Sequence, residues 1–268
     1  MLAVLLPTLA LAASAAPDLG VLHQYASVVL NADGGQIAAV ETVRQPYATT
    51  EQHGAVVVRG NDGAVRARLD PCAKCKYASV TWSPDGRKLV FTGSADGVAT
   101  LYASDPTQKG GFVASRIVEL KGLIDSPRWS PDGRSIAVLA TAGAHKESGA
   151  IQAGAREIGE IGESEDFQRI ATVGAAGGEL KFVSPDGTFV YEYDWTPDGR
   201  GFVATAAQGN GDNNWWVAKL QSYTLDGVAR VIVAPAYQMN FPRVAPDGRH
   251  VAFIGGLFRA RHHETDVG

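Results

Sequence analysis

The chain has 268 residues, 45% of them hydrophobic and 19% charged, with a formal net charge of −4. This composition supplies enough apolar material for a sizeable core, which excludes a chain that is disordered throughout. The acidic balance excludes the basic surface on which nucleic-acid binding depends. The 31 glycines and 13 prolines amount to about one residue in six, above the roughly 12% of average usage, and predict many tight turns.

Residues 1–17, MLAVLLPTLALAASAAP, contain no charged side chain. An apolar stretch that ends in Ala13-Ser14-Ala15 is typical of a secretory signal peptide with an A-x-A cleavage site. We therefore predict a signal peptide over residues 1–15 and an exported chain, periplasmic or secreted. A buried N-terminal strand or helix is the alternative interpretation. After residue 17 no apolar run approaches the length of a membrane-spanning helix, so no membrane span is expected.

Cys72 and Cys75, in the pentapeptide PCAKC, are the only cysteines. A zinc site would need two more ligands, and the nearest histidine in sequence is His53. A thioredoxin-like redox pair would need a βαβ context, which the pattern lacks. A local disulfide, as expected in an oxidising compartment, and two free thiols both remain open.

A short motif recurs along the chain and divides it into units. Its three fullest copies read Trp-Ser/Thr-Pro-Asp-Gly-Arg and begin at Trp82, Trp129 and Trp195. A fourth copy is 244–249, VAPDGR, and a weaker one is 30–34, LNADG. The aspartates of the five copies lie at positions 33, 85, 132, 198 and 247, between 47 and 66 residues apart. This spacing predicts five repeats of one structural unit.

Each copy has the composition of a tight turn followed by a strand. Proline presets φ at the first central position, aspartate suits the second, and glycine can take the left-handed conformation that closes the turn. The alternating apolar residues after each copy predict a strand with one buried face. We therefore assign a structural role to the repeated turn residues Pro84, Asp85, Gly86, Pro131, Asp132, Gly133, Pro197, Asp198, Gly199, Pro246, Asp247 and Gly248.

A unit of about fifty residues fits four short antiparallel strands, which is one blade of a β-propeller. We predict an all-β fold, a partial β-propeller of about five four-stranded blades, over residues 16–256. Residues 170–173 and 180–183 are expected to form a strand pair. The tetrapeptide 184–187, SPDG, precedes the next copy by only twelve residues, so we expect it to connect two strands of the same region and not to begin a blade. Residues 257–268 are predicted to be an irregular tail, either natural or the mark of a truncated or frame-shifted reading frame.

The repeated turn resembles that of the propeller repeats in TolB-like proteins and in the prolyl oligopeptidase family of serine peptidases. Residues 191–200, YEYDWTPDGR, and 209–217, GNGDNNWWV, are most similar to the second group. The resemblance covers roughly residues 20–256. In that family an N-terminal propeller caps an α/β-hydrolase domain and restricts the access of peptides to a Ser-Asp-His triad. The resemblance therefore implies an α/β-hydrolase catalytic domain as partner and peptides as substrates.

The chain departs from that family where catalysis is concerned. It has no G-x-S-x-G, the turn that presents the nucleophilic serine, since 93–97, GSADG, and 162–166, GESED, do not match it in spacing or in the last residue. We therefore predict no catalytic residue, no cofactor and no metal site. Glu192 lies on a predicted strand, but Tyr193 follows it, so the pair of glutamates that holds a substrate amine in the dipeptidyl peptidase branch is not reproduced.

Two functions follow as hypotheses. The first is the non-catalytic propeller portion of a prolyl oligopeptidase-like serine peptidase, which gates peptide access and contributes to the substrate channel. The second is a stand-alone periplasmic propeller that binds an envelope protein, as TolB-like proteins do. Neither hypothesis involves nucleic acid.

Overall fold

In a computed structural model of the protein, the described residues are 20–46, 52–105, 111–144, 166–209, 215–234 and 237–256. The predicted signal peptide and the predicted tail lie outside them. The described residues form seventeen β-strands and one 3-10 turn, Trp215–Val217, and contain no α-helix. The all-β class predicted from the sequence is confirmed.

The strands follow one another in chain order through five blades. Blade I contains β1 (Leu22–Leu30), β2 (Gln36–Arg44), β3 (Ala55–Gly60) and β4 (Val65–Leu69). Blades II and III are built from β5 (Lys76–Trp82), β6 (Leu89–Ala95), β7 (Val98–Ser104), β8 (Ala114–Trp129), β9 (Ser135–Ala142), β10 (Arg169–Gly174) and β11 (Lys181–Phe182). Blade IV contains β12 (Thr188–Trp195), β13 (Gly201–Gln208), β14 (Lys219–Thr224) and β15 (Ala229–Val233). Blade V has two described strands, β16 (Met239–Val244) and β17 (Val251–Gly255).

Blades II and III are joined by one strand that belongs to both. The 16-residue β8 pairs with β7 as far as Lys121 and with β9 from Gly122 onwards. Gly122 has a φ of +131°, and a Cβ there would lie 2.0 Å from the carbonyl oxygen of Thr141. Because no other residue fits this space and conformation, glycine is required where the strand passes from one blade to the next.

The repeated motif ends the first strand of each blade, and in blades II, III and IV its tryptophan lies against the preceding blade. Trp82, Trp129 and Trp195 are at most 8% exposed. The indole of Trp82 donates to the carbonyl of Val29 in blade I (3.4 Å), and that of Trp195 donates to the carbonyl of Arg128 in blade III (3.1 Å). The core is therefore formed largely by contacts between blades, which is what the predicted partial propeller requires.

The SPDG sequence at residues 184–187 lies in a different place from the one we expected. It connects β11 of blade III to β12 of blade IV and thus leads into a new blade. The expectation that it joins two strands of one region is wrong, because β11 has only two residues and the chain crosses over directly after it. The expected strand pair is confirmed, since Ala171 and Thr172 pair with Phe182 and Lys181.

Candidate functional site

The repeated turns share one hydrogen-bond pattern. In blade II the Ser83 hydroxyl donates to Asp85 Oδ1 (2.5 Å), which also accepts from the backbone N–H of Arg87 (3.1 Å). The same hydroxyl accepts from the backbone N–H of Lys88 (2.9 Å). The turns of blades III and IV repeat this pattern with distances between 2.6 and 3.0 Å, through Ser130, Asp132, Arg134 and Ser135 and through Thr196, Asp198, Arg200 and Gly201.

The turn aspartates are held ionised by these bonds. The hydroxyl of the preceding Ser or Thr is the main cause that lowers the pKa of Asp85, Asp132 and Asp198. In blade V the backbone N–H of Arg249 is the main cause that lowers the pKa of Asp247. Each carboxylate therefore has its hydrogen-bond partners within its own turn.

Successive turns also stack on one another. A Cβ added at Gly133 would lie 3.9 Å from Pro84 Cδ, one at Gly199 would lie 3.7 Å from Pro131 Cδ, and one at Gly248 would lie 3.9 Å from Pro197 Cδ. All of these glycines have a left-handed φ between +67° and +69°. The repeated prolines and glycines thus form a row from blade to blade at one end of the strands, each glycine facing the proline of the preceding blade.

Cys72 and Cys75 lie between β4 and β5 and are joined by a disulfide bond, with their Cα atoms 5.3 Å apart. The backbone N–H of Cys72 donates to the hydroxyl of Tyr77 (2.7 Å). Cys75 is buried in the cluster that fills the interface between blades I and II. The small loop therefore fastens the connection between these two blades.

A second repeated feature lies within the first strand of every blade, where the pairing with the second strand slips at a bulge. The slips occur after Ala26, Ala78, Asp125, Val190 and Asn240. Four bulge residues have a left-handed φ between +49° and +55°, although none is glycine: Ser27, Ser79, Ser126 and Phe241. Each of them precedes the motif aspartate by six residues, and Glu192 has the same position in blade IV. Bulges redirect side chains and are frequent next to binding sites.

The bulges of neighbouring blades contact one another. The backbone N–H of Ser79 donates to Ser27 Oγ (3.0 Å), and Ser79 Oγ donates to the carboxylate of Asp125. Further along the row, the backbone N–H of Phe241 donates to the carboxylate of Glu192. Because the Tyr193 hydroxyl of blade IV donates to the carbonyl of Ser126 in blade III, a line of polar groups runs across the first strands of all five blades.

A cavity of about 150 Å³ opens on this line, between blades III, IV and V. It is lined by Ser126, Arg128, Leu139, Tyr191, Glu192, Tyr193, Phe241 and Arg243. The volume corresponds to about five water molecules at roughly 30 Å³ each, so the cavity can hold one small polar group. We call it the bulge pocket.

The positive charges of the bulge pocket come from equivalent positions. Arg128 and Arg243 each lie two residues after the bulge residue of their strand. Arg128 Nη1 lies 3.7 Å from Asp194 Oδ1, and its guanidinium carbon lies 5.6 Å from the centre of the Tyr193 ring. Arg243 Nη1 donates to the carbonyl of Pro242 (2.7 Å). Among the described residues, no carboxylate lies within 4.0 Å of the Arg243 guanidinium.

The acidic residues of blade IV are already bonded to blade V. Glu192 accepts from the backbone N–H of Phe241, and Asp194 Oδ2 accepts from that of Val244 (3.0 Å). Tyr193 between them is 1% exposed and donates its hydroxyl to the carbonyl of Ser126 (2.7 Å). Burial raises the pKa of Tyr193, so its phenol stays protonated and forms a fixed wall of the pocket.

The bulge pocket was not predicted from the sequence, although the sequence contains a signal for it. The strings SPRW at 126–129 and FPRV at 241–244 stand at the same distance before the motif and share Pro-Arg. Glu192 lies in the pocket with these residues, where we had expected no site.

No group of three or more His, Cys, Asp or Glu side chains that could hold a metal ion occurs in the described part of the chain. None of its helical segments is long and apolar enough to cross a membrane.

The structure is similar to solved β-propeller proteins of low sequence identity. A TolB from Acinetobacter baumannii matches 87% of this chain with 18% identity and a TM-score of 0.50. A puromycin-hydrolyzing peptidase from Mycobacterium tuberculosis matches 86% with 16% identity and a TM-score of 0.55. The β-propeller domain of the Trilobed protease from Pyrococcus furiosus, described as having an open velcro topology, matches 89% with 13% identity and a TM-score of 0.51.

The fold is a β-propeller. The resemblance to TolB and peptidase propellers predicted from the repeated turn is confirmed at the level of the fold. The chain spans 48% of the TolB, 38% of the peptidase and 70% of the Trilobed propeller domain. No protein-family model matches the sequence, and no curated protein sequence matches it either.

Proposed function

We propose that the chain is the non-catalytic propeller portion of a prolyl oligopeptidase-like serine peptidase, which gates peptide access and contributes to the substrate channel. The observation that carries this proposal is the bulge pocket, because it gathers two arginines, a glutamate and two tyrosines from three blades. Charged and aromatic groups that converge on a cavity are typical of binding sites. The hydrolytic step would belong to an α/β-hydrolase domain, since this sequence has no G-x-S-x-G.

The test uses the native gene product from its source cells. It would be immunoprecipitated with an antibody against this chain after treatment with a fluorophosphonate, which labels the active serine of hydrolases covalently. We expect a labelled serine either in a band larger than the 268-residue chain or in a protein that co-precipitates with it. A product of the size of this chain with no labelled companion would contradict the proposal. The purified chain should hydrolyse no peptide by itself.

A second candidate is a propeller that binds an envelope protein in the manner of a TolB. The similarity to the Acinetobacter baumannii TolB over 87% of the chain favours it. The same immunoprecipitation would then capture a protein that carries no fluorophosphonate label, together with a product of about the size of this chain.

Both candidates are proposed to act outside the cytoplasm. The disulfide between Cys72 and Cys75 supports this location, because disulfides persist in oxidising compartments and are rare in the cytosol. Protein taken from intact cells under denaturing conditions should react with a maleimide only after reduction. Immediate reaction at both cysteines would contradict an exported location.

A further inference from the structure

We infer that the bulge pocket binds a carboxylate group, with Arg243 as its principal contact and Arg128 as its second. This inference rests on the proposed peptide-binding role of the propeller and specifies which group of a peptide the pocket would recognise. A guanidinium presents up to five N–H donors, in a planar arrangement that matches the two oxygens of a carboxylate.

Both arginines have guanidinium N–H groups that form no hydrogen bond with the described residues. Within the described ranges, the only hydrogen bond of the Arg243 side chain goes to the carbonyl of Pro242. Arg128 lies 3.7 Å from Asp194, which is an ion pair without a hydrogen bond, and it makes no side-chain hydrogen bond to another described residue. An entering carboxylate would therefore gain charge-assisted hydrogen bonds without breaking any that the structure contains.

The acidic side chains close to the arginines already accept hydrogen bonds from the backbone of blade V. One oxygen of Glu192 and one of Asp194 accept backbone N–H groups of β16. These bonds hold blade IV against blade V and fix both carboxylates in place. The carboxylate of Glu192 also lines the pocket, so it opposes the binding of an anion.

The size and the rim of the pocket restrict what carries the carboxylate. About 150 Å³ is too small for a drug-sized ligand but large enough for a carboxylate and part of the group that bears it. Phe241, which is 54% exposed, and Tyr191 stand beside the arginines. These rings offer an apolar surface next to the charge. A peptide with an apolar last residue and a free C-terminal carboxylate fits this combination, and an aspartate or glutamate side chain has the same chemistry.

The test measures the binding of short fluorescein-labelled peptides to the purified full chain by fluorescence anisotropy. Three peptides are compared: one that ends in phenylalanine with a free carboxylate, the same peptide as its C-terminal amide, and an amide with a glutamate as its last side chain. We expect the free acid to bind about tenfold more tightly than the phenylalanine amide, and salt to weaken its binding. Equal binding of the glutamate amide would identify a side-chain carboxylate as an equally good source. Equal binding of the acid and the phenylalanine amide, or no binding of any peptide, would overturn the inference.

Variants assign the effect to the pocket. Arg243→Gln should weaken the binding of the free acid about tenfold, and Arg128→Gln somewhat less. Glu192→Gln should strengthen it, because it removes a negative charge while its amide oxygen can still accept from Phe241. Arg249→Gln is the matched control, since it removes an exposed arginine from the turn of the same blade. If Arg249→Gln weakens binding as much as Arg243→Gln, the overall charge of the protein and not the pocket determines the affinity, and the inference is refuted.

The outcome is separable from that of the proposed function. Peptide binding is measured on the chain alone, whereas the fluorophosphonate experiment does not involve the pocket. A pocket that binds carboxylates without a hydrolase partner would support the inference and remove the peptidase proposal. A labelled hydrolase partner, together with a pocket that binds the free acid no better than the amide, would support the peptidase proposal and overturn the carboxylate inference.

Discussion

At the interface between blades III and IV, Trp195 is 7% exposed, whereas Leu30, which has the same repeat position in blade I, is 63% exposed. Trp195 packs beside Phe202 and reaches the backbone of the preceding blade, but no described blade precedes Leu30. The outer face of blade I also exposes Leu22, Tyr25 and Val28. The same repeat position is therefore buried where another blade packs against it and exposed where none does. This is expected in a repeat protein, in which each unit is stabilised by contact with its neighbours.

The largest effect in this comparison is expected from alanine at the interior position. Trp195→Ala should lower the free energy of unfolding by about 3 to 5 kcal/mol, because it leaves a cavity between two blades. Leu30→Ala, its matched counterpart, should change it by no more than about 0.5 kcal/mol. Urea unfolding followed by far-UV circular dichroism measures both. A cost for Leu30→Ala as large as that for Trp195→Ala would mean that the face of blade I is covered in solution.

The second effect concerns the strand that links blades II and III. Gly122→Ala should cost about 3 kcal/mol, because the new Cβ would meet the carbonyl of Thr141 at a left-handed φ. Gly97→Ala controls for φ alone. Gly97 has a φ of +75° with nothing within 4 Å of a new Cβ, so its replacement should cost about 1 kcal/mol. Equal losses in urea unfolding would show that conformation, and not the close approach, makes Gly122 necessary.

The third effect concerns the covalent fastening between blades I and II. Replacing both Cys72 and Cys75 with serine should lower the free energy of unfolding by at most about 2 kcal/mol, because the closed loop is small. Reduction of the native protein with dithiothreitol should have the same effect within error. A loss comparable to that of Trp195→Ala would show that the disulfide, more than the packing around Tyr77, holds the two blades together.

The smallest effect concerns the repeated turns and depends on pH. Because folding lowers the pKa of Asp85, its carboxylate stabilises the fold above the unfolded value of about 3.9 and loses this contribution as the pH falls through the lower, folded value. Asp85→Asn should therefore lower the melting temperature by about 2 °C at pH 6 and by almost nothing near pH 2. Asp247→Asn, in blade V, should follow the same pH dependence with a smaller amplitude. A difference between wild type and Asp85→Asn that grows towards low pH would contradict this sign.

The sequence predicted the features that are encoded locally. Proline, aspartate and glycine specify a turn by themselves, so the five units, the β class and the strand pair at 170–173 and 180–183 could be predicted. The tetrapeptide at 184–187 has the same local signal, but its place between blades depends on how short β11 is. That length is set by tertiary packing.

The Pro-Arg shared by two repeats marks equivalent positions, but it does not show that a pocket forms there, because the pocket residues meet only after the blades pack. Arg128, Glu192 and Arg243 are separated by about fifty residues or more in the chain. Their side chains converge because the bulges occur at the same height in neighbouring first strands. Nothing in a single repeat marks the bulge, since the left-handed residue is serine in three blades and phenylalanine in another.

The continuous strand β8 has a mechanical consequence. A tension applied through the chain passes from blade II to blade III along the 16 residues of this strand, with no loop between the two blades. Blade II pairs with the first half of this strand and blade III with the second half, so a force that pulls one half out of its sheet acts directly on the other half. Under a pulling force these two blades should rupture together in one long extension step, while the blades on both sides of them come apart singly.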